Sequence, residues 1–123
     1  MKSRTVLLVD DEAHIVHVVA LKLREAGFRV VTAGDGREAL AAARRELPDL
    51  LITDYQMPGL SGLELCQRMK EAARTSSIPA ILLTARGYEL DEGESRRSGI
   101  LLTVAKPFSP RQLVATVHRL LAA

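Results

Sequence analysis

The chain has 123 residues, of which 47% are hydrophobic and 26% charged, a composition that excludes an intrinsically disordered protein. The net charge is +2 and aromatic residues make up 3%, so neither a basic face nor a stacking platform for nucleic acid is expected. Cys66 is a lone cysteine and the apolar runs are too short to span a membrane, which together predict a cytoplasmic protein without membrane contact.

Strand-like and helix-like patterns alternate along the chain. Short runs of Val, Leu, Ile and Ala predict strands, and apolar residues three or four apart predict helices. In chain order these are strand Thr5–Val9, helix 13–26, strand Arg29–Ala33, helix 36–47, strand 50–53, helix 62–73, strand Ala80–Thr84, strand 101–105 and helix Pro110–Leu121. The segment 87–99 has little apolar face and an internal glycine, so we expect a short or mobile helix there.

This alternation predicts an α/β fold in one domain over residues 1–123, with a doubly wound parallel sheet and helices on both faces. In such a sheet the carboxyl ends of the strands meet at one edge, where ligands bind. Polar side chains close or follow four of the predicted strands at that edge. They are Asp10, Asp11, Asp54, Thr84 and Lys106.

Three carboxylates at one edge repel each other unless a cation lies among them or their pKa values are raised. Mg²⁺ prefers oxygen ligands of this kind, and Lys106 and Thr84 offer an ammonium and a hydroxyl to phosphate oxygens. Phosphoryl transfer needs mainly this positioning and charge neutralisation, and Asp54 is the natural nucleophile for an acyl phosphate. Taken singly, each residue also fits a helix cap, a turn or a strand end.

The sequence resembles the receiver domains of two-component response regulators from Val6 to Leu121. The resemblance rests on several joined motifs. They are Asp10-Asp11-Glu12, Leu50-Leu51-Ile52-Thr53-Asp54-Tyr55-Gln56-Met57-Pro58-Gly59, Gly62, Leu82-Leu83-Thr84-Ala85 and Lys106-Pro107-Phe108. It implies a flavodoxin-like, five-stranded parallel sheet with strand order 2-1-3-4-5.

The resemblance also implies the roles of the metal-binding residues. Asp54 would be the phospho-acceptor. Asp11, Asp54 and the main-chain carbonyl of Gln56 would ligate Mg²⁺, with Asp10 acting through a water molecule.

Lys106 and Thr84 would bind the phosphoryl oxygens, and the donor would be a phosphohistidine on a sensor histidine kinase or a phosphotransfer protein. The receiver would then switch its interaction with a downstream protein effector. It would promote its own aspartyl phosphorylation and dephosphorylation without being an enzyme for an external substrate. The family also uses homodimers, and Val114 and Leu121 are candidates for such a face.

One departure from the family pattern bears on signal transmission. Receivers usually carry an aromatic residue three positions before the lysine, and this chain has Thr103 there. We therefore hypothesise that the segment 87–99 rearranges without an aromatic switch. The alternative is a receiver-fold interaction module whose output ignores phosphorylation.

Two further functions fit the sequence less well. A flavodoxin-like FMN protein needs a neutral phosphate cradle, and the acidic run at Asp10 would repel the ligand. A haloacid-dehalogenase-type phosphatase expects an aspartate where this chain has Glu12. His14 and His17 are spaced for metal ligation but are expected on the outer face of their helix, and Cys66 is expected in the core.

Overall fold

The structure, a computed structural model, describes residues 3–85 and 90–122. Within them, five strands alternate with five helices along the chain. The strands are β1 (Thr5–Val9), β2 (Arg29–Ala33), β3 (Leu50–Asp54), β4 (Ala80–Thr84) and β5 (Ile100–Ala105). The helices are α1 (Ala13–Glu25), α2 (Gly36–Glu46), α3 (Gly62–Lys70), α4 (Glu92–Arg97) and α5 (Pro110–Leu121).

The strands form one parallel sheet in the order β2-β1-β3-β4-β5, which confirms the predicted fold class. Every residue of β1, β3 and β4 is buried, as expected for central strands of a parallel sheet with both faces covered. The edge strands β2 and β5 include exposed residues. The most apolar runs of the sequence therefore occupy the centre of the sheet.

Two helical layers cover the sheet, because successive residues of a strand point to opposite faces. Leu8 of β1 belongs to one core cluster with Leu23 of α1 and Val117 of α5. The neighbouring Leu7 belongs to the other cluster, which includes Leu65 of α3 and residues of α2. The helices therefore lie on both faces, as predicted.

The first three helices end one to three residues earlier than predicted, whereas α5 has its predicted bounds. The first two helices end at Glu25 and Glu46, and Gly27 takes the left-handed conformation expected after α1, with φ of +97°. The third ends at Lys70 instead of residue 73. The cause is Thr75, which is buried and whose hydroxyl donates to the Met69 carbonyl at 2.6 Å, a main-chain acceptor that a longer helix would have used itself.

The strand β5 begins at Ile100, one residue earlier than predicted, because it contains a bulge. Its register with β4 steps from Ala80 opposite Ile100 to Ile81 opposite Leu102. The extra residue, Leu101, is 54% exposed. Alternating patterns cannot reveal such an insertion, since the bulged residue breaks the period of two.

The segment 87–99 contains the short helix α4, and residues 87–89 lie outside the described part. All six residues of α4 are described, and none of them is buried. Gly93 lies in its first turn, where the Asp91 carboxylate accepts from its N–H at 3.0 Å. The prediction of a short helix is thus confirmed for the described residues. Among them, no helix has the length and apolarity to cross a membrane.

Side-chain caps fix the starts of the two helices that flank the site. At α3, Ser61 and Glu64 form a reciprocal capping box. At α5, the Ser109 hydroxyl accepts from the Gln112 N–H at 3.2 Å, and Pro110 occupies the first turn as predicted. These caps hold the loops that follow β3 and β5 in place.

Gly62 allows α3 to begin directly against the end of β3. A Cβ atom at this position would collide with the Asp54 carbonyl oxygen and lie 3.0 Å from a methyl carbon of Leu82. The Gly62 N–H also donates to the Tyr55 carbonyl at 2.8 Å. The close approach of helix and strand therefore depends on the missing side chain.

We predict that Gly62→Ala lowers the free energy of unfolding by about 1–3 kcal/mol, because the new methyl group meets main-chain atoms that cannot move aside cheaply. Gly34→Ala is the matched control, since a Cβ there would meet only Glu38 Oε2, at 3.8 Å. Urea unfolding followed by circular dichroism measures both variants. Equal stability of the two would contradict this account of Gly62.

Candidate functional site

The carboxyl ends of β1 and β3 bring three carboxylates together. Asp10 and Asp11 follow β1, and Asp54 is the last residue of β3. One carboxylate oxygen from each lies within 4.8 Å of the others. Asp10 and Asp54 are buried, whereas Asp11 is exposed. This is the cluster predicted from the sequence, at the predicted edge of the sheet.

The main chain at Asp54 is held on several sides. Its register partner in β4 is Leu83, and the next residue, Tyr55, donates its N–H to the Leu83 carbonyl at 2.8 Å. The Thr53 hydroxyl, which is fully buried, donates to the Asp54 carbonyl at 3.0 Å. With Gly62 packed on the same carbonyl, the Asp54 carboxylate projects from a fixed backbone.

Lys106 places its ammonium among the carboxylates from the end of β5. Its Nζ lies 3.0 Å from Asp10 Oδ2, 3.2 Å from Asp54 Oδ1 and 3.2 Å from Glu12 Oε1. Its main-chain N–H donates to the Thr84 carbonyl at 2.7 Å, and the Lys106-Pro107 peptide bond is cis. The lysine thus connects the first, third and fifth strands at one point.

Burial and crowding raise the pKa values of the two buried carboxyls. Burial of Asp54 and the nearby charge of Asp10 raise its pKa to about 6, and Lys106 only partly offsets this rise. Burial also raises the pKa of Asp10, against the Glu12 N–H and the Lys106 ammonium, which lower it. Burial alone would lower the pKa of Lys106, yet its carboxylate partners raise it overall. The site therefore carries excess negative charge that one ammonium does not neutralise.

A groove of about 700 Å³ opens beside Asp54. Gln56 and Ala85 line it from the loops after β3 and β4. Lys106 and Phe108 line it from the loop after β5. A small anion or the side chain of a partner protein can therefore reach the Asp54 carboxylate from this side.

A comparison with protein-family models matches residues 6–118 to the response regulator receiver domain. The chain belongs to the response regulator receiver domain family. Receiver domains are signalling modules of two-component systems, and the sequence resemblance is confirmed at the level of the family.

One curated relative is the phosphate regulon transcriptional regulatory protein PhoB of Pseudomonas aeruginosa. It is 40% identical over 121 residues, which are 98% of this chain and 53% of PhoB. This receiver domain thus spans about half the length of the curated relatives it matches.

Two solved structures show the same architecture. The chemotaxis response regulator CheY4 of Vibrio cholerae is 34% identical, with a TM-score of 0.88 and coverage of 98% of this chain and 100% of that one. The receiver domain of the sensor histidine kinase PA1611 from Pseudomonas aeruginosa PAO1 is 27% identical, with a TM-score of 0.85 and coverage of 99% and 100%. That receiver is described with a magnesium ion coordinated in its active-site cleft.

The structure of this receiver brings together the residues that the sequence singled out. Asp10, Asp11, Asp54 and Lys106 share the site directly. Gln56 is exposed on the rim of the groove. The side chain of Thr84 is buried at the end of β4, and its carbonyl is tied to the Lys106 N–H.

Sequence reasoning missed the contact between Glu12 and Lys106. The sequence places Glu12 in the acidic motif after the first strand, but that position alone predicts no contact with Lys106. Glu12 occupies the N-cap position of α1, but its side chain caps no N–H among the described residues and reaches Lys106 instead. The signal was its place in the acidic run, two residues after Asp10, with a longer side chain than its neighbours.

The remaining chemically active residues lie outside the site's charge cluster. His14 and His17 are exposed, as predicted, and neither joins a group of three metal-ligating side chains within residues 3–85 and 90–122. Cys66 is buried in the core, and burial raises the pKa of its thiol to about 12, so it is unreactive at neutral pH. His118 is exposed and its ring lies 4.9 Å from that of Phe28.

We predict that Asp54→Asn stabilises the metal-free receiver at neutral pH by about 1–3 kcal/mol, because it removes a buried charge whose pKa is raised to about 6. The folded state binds this proton more tightly than the unfolded state. The unfavourable contribution of Asp54 is therefore complete above about pH 6 and fades as the pH falls toward 3.8.

Thermal unfolding in a chelator-containing buffer measures the difference between wild type and Asp54→Asn from about pH 7 down to about pH 4. Glu71→Gln, an exposed carboxylate at the opposite edge of the sheet, is the control. A loss of stability in Asp54→Asn at neutral pH would show that pairing with Lys106 outweighs burial.

Proposed function

We propose that this receiver accepts a phosphoryl group on Asp54 from a phosphohistidine of a sensor histidine kinase or phosphotransfer protein. The observation that carries the proposal is the position of the Asp54 carboxylate. It is nearly buried, projects from a fixed strand end, and lies 3.2 Å from the Lys106 ammonium at the wall of an open groove. A nucleophile that is oriented by its backbone and accompanied by a cation suits attack on phosphorus.

The same cluster fits Mg²⁺. Its three carboxylates supply hard oxygen ligands within 4.8 Å of each other, and the raised pKa of Asp54 shows that their negative charge is not fully compensated. We propose that Asp11, Asp54 and the Gln56 carbonyl hold the ion, with Asp10 acting through water. When bound, Mg²⁺ neutralises negative charge on the carboxylates and on the incoming phosphoryl group. The magnesium ion described in the PA1611 receiver supports this assignment.

In the transfer step, an oxygen of the ionised Asp54 carboxylate attacks phosphorus while the bond from phosphorus to the histidine nitrogen breaks. The bonding electrons return to that nitrogen, which then takes up a proton, and Asp54 becomes an acyl phosphate. Lys106 and Thr84 hold the phosphoryl oxygens. A pKa of about 6 leaves the Asp54 carboxylate mostly ionised at neutral pH, so it is ready to attack. In this way the receiver promotes its own phosphorylation, and water attack on the acyl phosphate reverses it.

The output is proposed to be a switched interaction with a downstream protein effector. The unit that switches would be residues 1–123 as one receiver domain. The curated relatives are about twice its length and include transcriptional regulatory proteins, so an effector region elsewhere in the same protein is one form of this partner. That the chain does not itself bind nucleic acid, and that it forms homodimers, stay predictions.

Thr103 favours a second candidate function, an interaction module that ignores phosphorylation. It lies opposite Leu82 in the sheet and is exposed, so no large side chain at this position can move between a buried and an exposed state. In the phosphorylation switch, by contrast, the signal would have to be transmitted through the segment 87–99, part of which lies outside the described residues. A response that depends on Asp54 distinguishes the switch from the module.

We predict that acetyl phosphate with Mg²⁺ labels the wild-type chain at Asp54 and that Asp54→Asn abolishes the label, because an amide oxygen is a far weaker nucleophile. Intact-mass spectrometry at neutral pH measures the added phosphoryl group. Asp35→Asn is the control, since asparagine caps α2 as well as aspartate does. Normal labelling of Asp54→Asn would overturn the assignment of the acceptor.

We predict that Asp11→Asn weakens Mg²⁺ binding by about tenfold or more, because it removes an exposed carboxylate ligand without creating a cavity. Isothermal titration calorimetry with MgCl₂ measures the dissociation constant. Glu38→Gln is the control, because it removes a negative charge from a groove that Asp11 also lines without removing a residue of the carboxylate cluster. It therefore measures how much a change in the local electrostatic potential alone alters Mg²⁺ binding. Unchanged affinity in Asp11→Asn would exclude Asp11 as a ligand.

A further inference from the structure

Glu12 is a charged group at the site that the proposed phosphorylation does not use. Its carboxylate lies 3.2 Å from Lys106 Nζ, and its side chain is 61% exposed. Its main chain begins α1, where its carbonyl accepts from the Ile15 and Val16 N–H groups at 3.0 and 3.2 Å. The side chain can therefore leave Lys106 without disturbing the helix.

The hydrogen bonds of Lys106 leave little room for a phosphoryl oxygen. Of the three N–H donors of the ammonium, one donates to Asp10 Oδ2 at 3.0 Å and one to Glu12 Oε1 at 3.2 Å, while Asp54 Oδ1 forms an ion pair with Nζ at 3.2 Å. For Lys106 to turn its donors toward the oxygens of a phosphoryl group on Asp54, Asp10 or Glu12 has to give up its hydrogen bond.

Exposure decides which carboxylate is released. The Asp10 side chain is fully buried, and its Oδ1 also accepts from the Glu12 N–H at 2.9 Å. Asp54 itself carries the phosphoryl group. Glu12 is open to water, which can solvate its charge after release, and Lys106 is its one side-chain hydrogen-bond partner among the described residues.

We propose that Glu12 is a positioning residue that holds Lys106 in the unphosphorylated receiver and competes with phosphoryl oxygens for its ammonium. The inference rests on the proposed phosphorylation of Asp54 and adds a regulator to that site. It follows that Glu12 slows phosphorylation and weakens the retention of Lys106 by the acyl phosphate. The effect of Glu12 acts through Lys106, which separates it from simple repulsion between Glu12 and an incoming anion.

The first test titrates beryllofluoride, a phosphoryl mimic, with Mg²⁺ into the wild type and the Glu12→Gln and Glu38→Gln variants. Glu12→Gln keeps the shape of the side chain but removes its charge, so we expect the mimic to bind about two- to fivefold more tightly. Glu38→Gln removes a negative charge that lies on the far side of α1 from Lys106, and we expect it to match the wild type. Equal affinity in Glu12→Gln and the wild type would overturn the inference.

The second test is a double-mutant cycle on the initial rate of phosphorylation by acetyl phosphate. Glu12→Gln is made in the wild type and in Lys106→Met, which keeps the length of the stem without the ammonium. We expect the acceleration by Glu12→Gln in the wild type to vanish in the Lys106→Met background. An equal acceleration in both backgrounds would assign the effect to direct repulsion and overturn the inference.

Thermal unfolding of the four proteins of the cycle checks that each is folded. If neither the wild type nor Glu12→Gln binds beryllofluoride or accepts a phosphoryl group, the proposed function fails and the inference falls with it. Binding by the wild type without any change in Glu12→Gln leaves the proposed function intact and removes only the role of Glu12.

Discussion

The site depends on one ammonium held among carboxylates that would otherwise repel each other. Lys106 reaches the carboxylates of Asp10, Asp54 and Glu12, two of them buried. Without a cation, burying Asp10 and Asp54 side by side would be strongly unfavourable. Even with Lys106 present, burial and the nearby charge of Asp10 keep the pKa of Asp54 raised to about 6, so the site has a shortage of positive charge. That shortage is what makes the edge of the sheet suited to a divalent cation.

The topology explains why such distant parts of the chain meet. Asp10 and Lys106 are 96 positions apart in sequence, yet both follow parallel strands at the same edge of the sheet. Because β1 and β3 are neighbours, Asp10 and Asp54 come together without any unusual loop. The order β2-β1-β3-β4-β5 therefore builds the site, and the strands with continuous apolar runs, β1, β3 and β4, lie at its centre.

Much of this could be predicted from the sequence, because the fold is encoded in regular patterns. The strands β1, β2 and β4 have their predicted bounds, and the residues that close or follow the strands meet as expected. What escaped prediction depends on single tertiary contacts. The Thr75 hydroxyl shortens α3, the bulge at Leu101 moves the start of β5, and Glu12 reaches a lysine 94 positions away. None of these contacts produces a repeating pattern in the sequence from which it could be predicted.

The groups around Asp54 differ in how tightly the fold holds them. This difference limits which of them can change position when the charge at Asp54 changes. The Asp54 main chain is fixed by the Thr53 hydroxyl, by pairing with β4 and by the tight packing of Gly62. A phosphoryl group on its side chain therefore cannot be accommodated by moving β3. We propose that the adjustment falls instead on the side chains around Lys106 and on the loop after β5. With Thr103 in the usual place of an aromatic residue, that loop, and not a rotating ring, is the element whose position a charge at Asp54 would bias under this proposal.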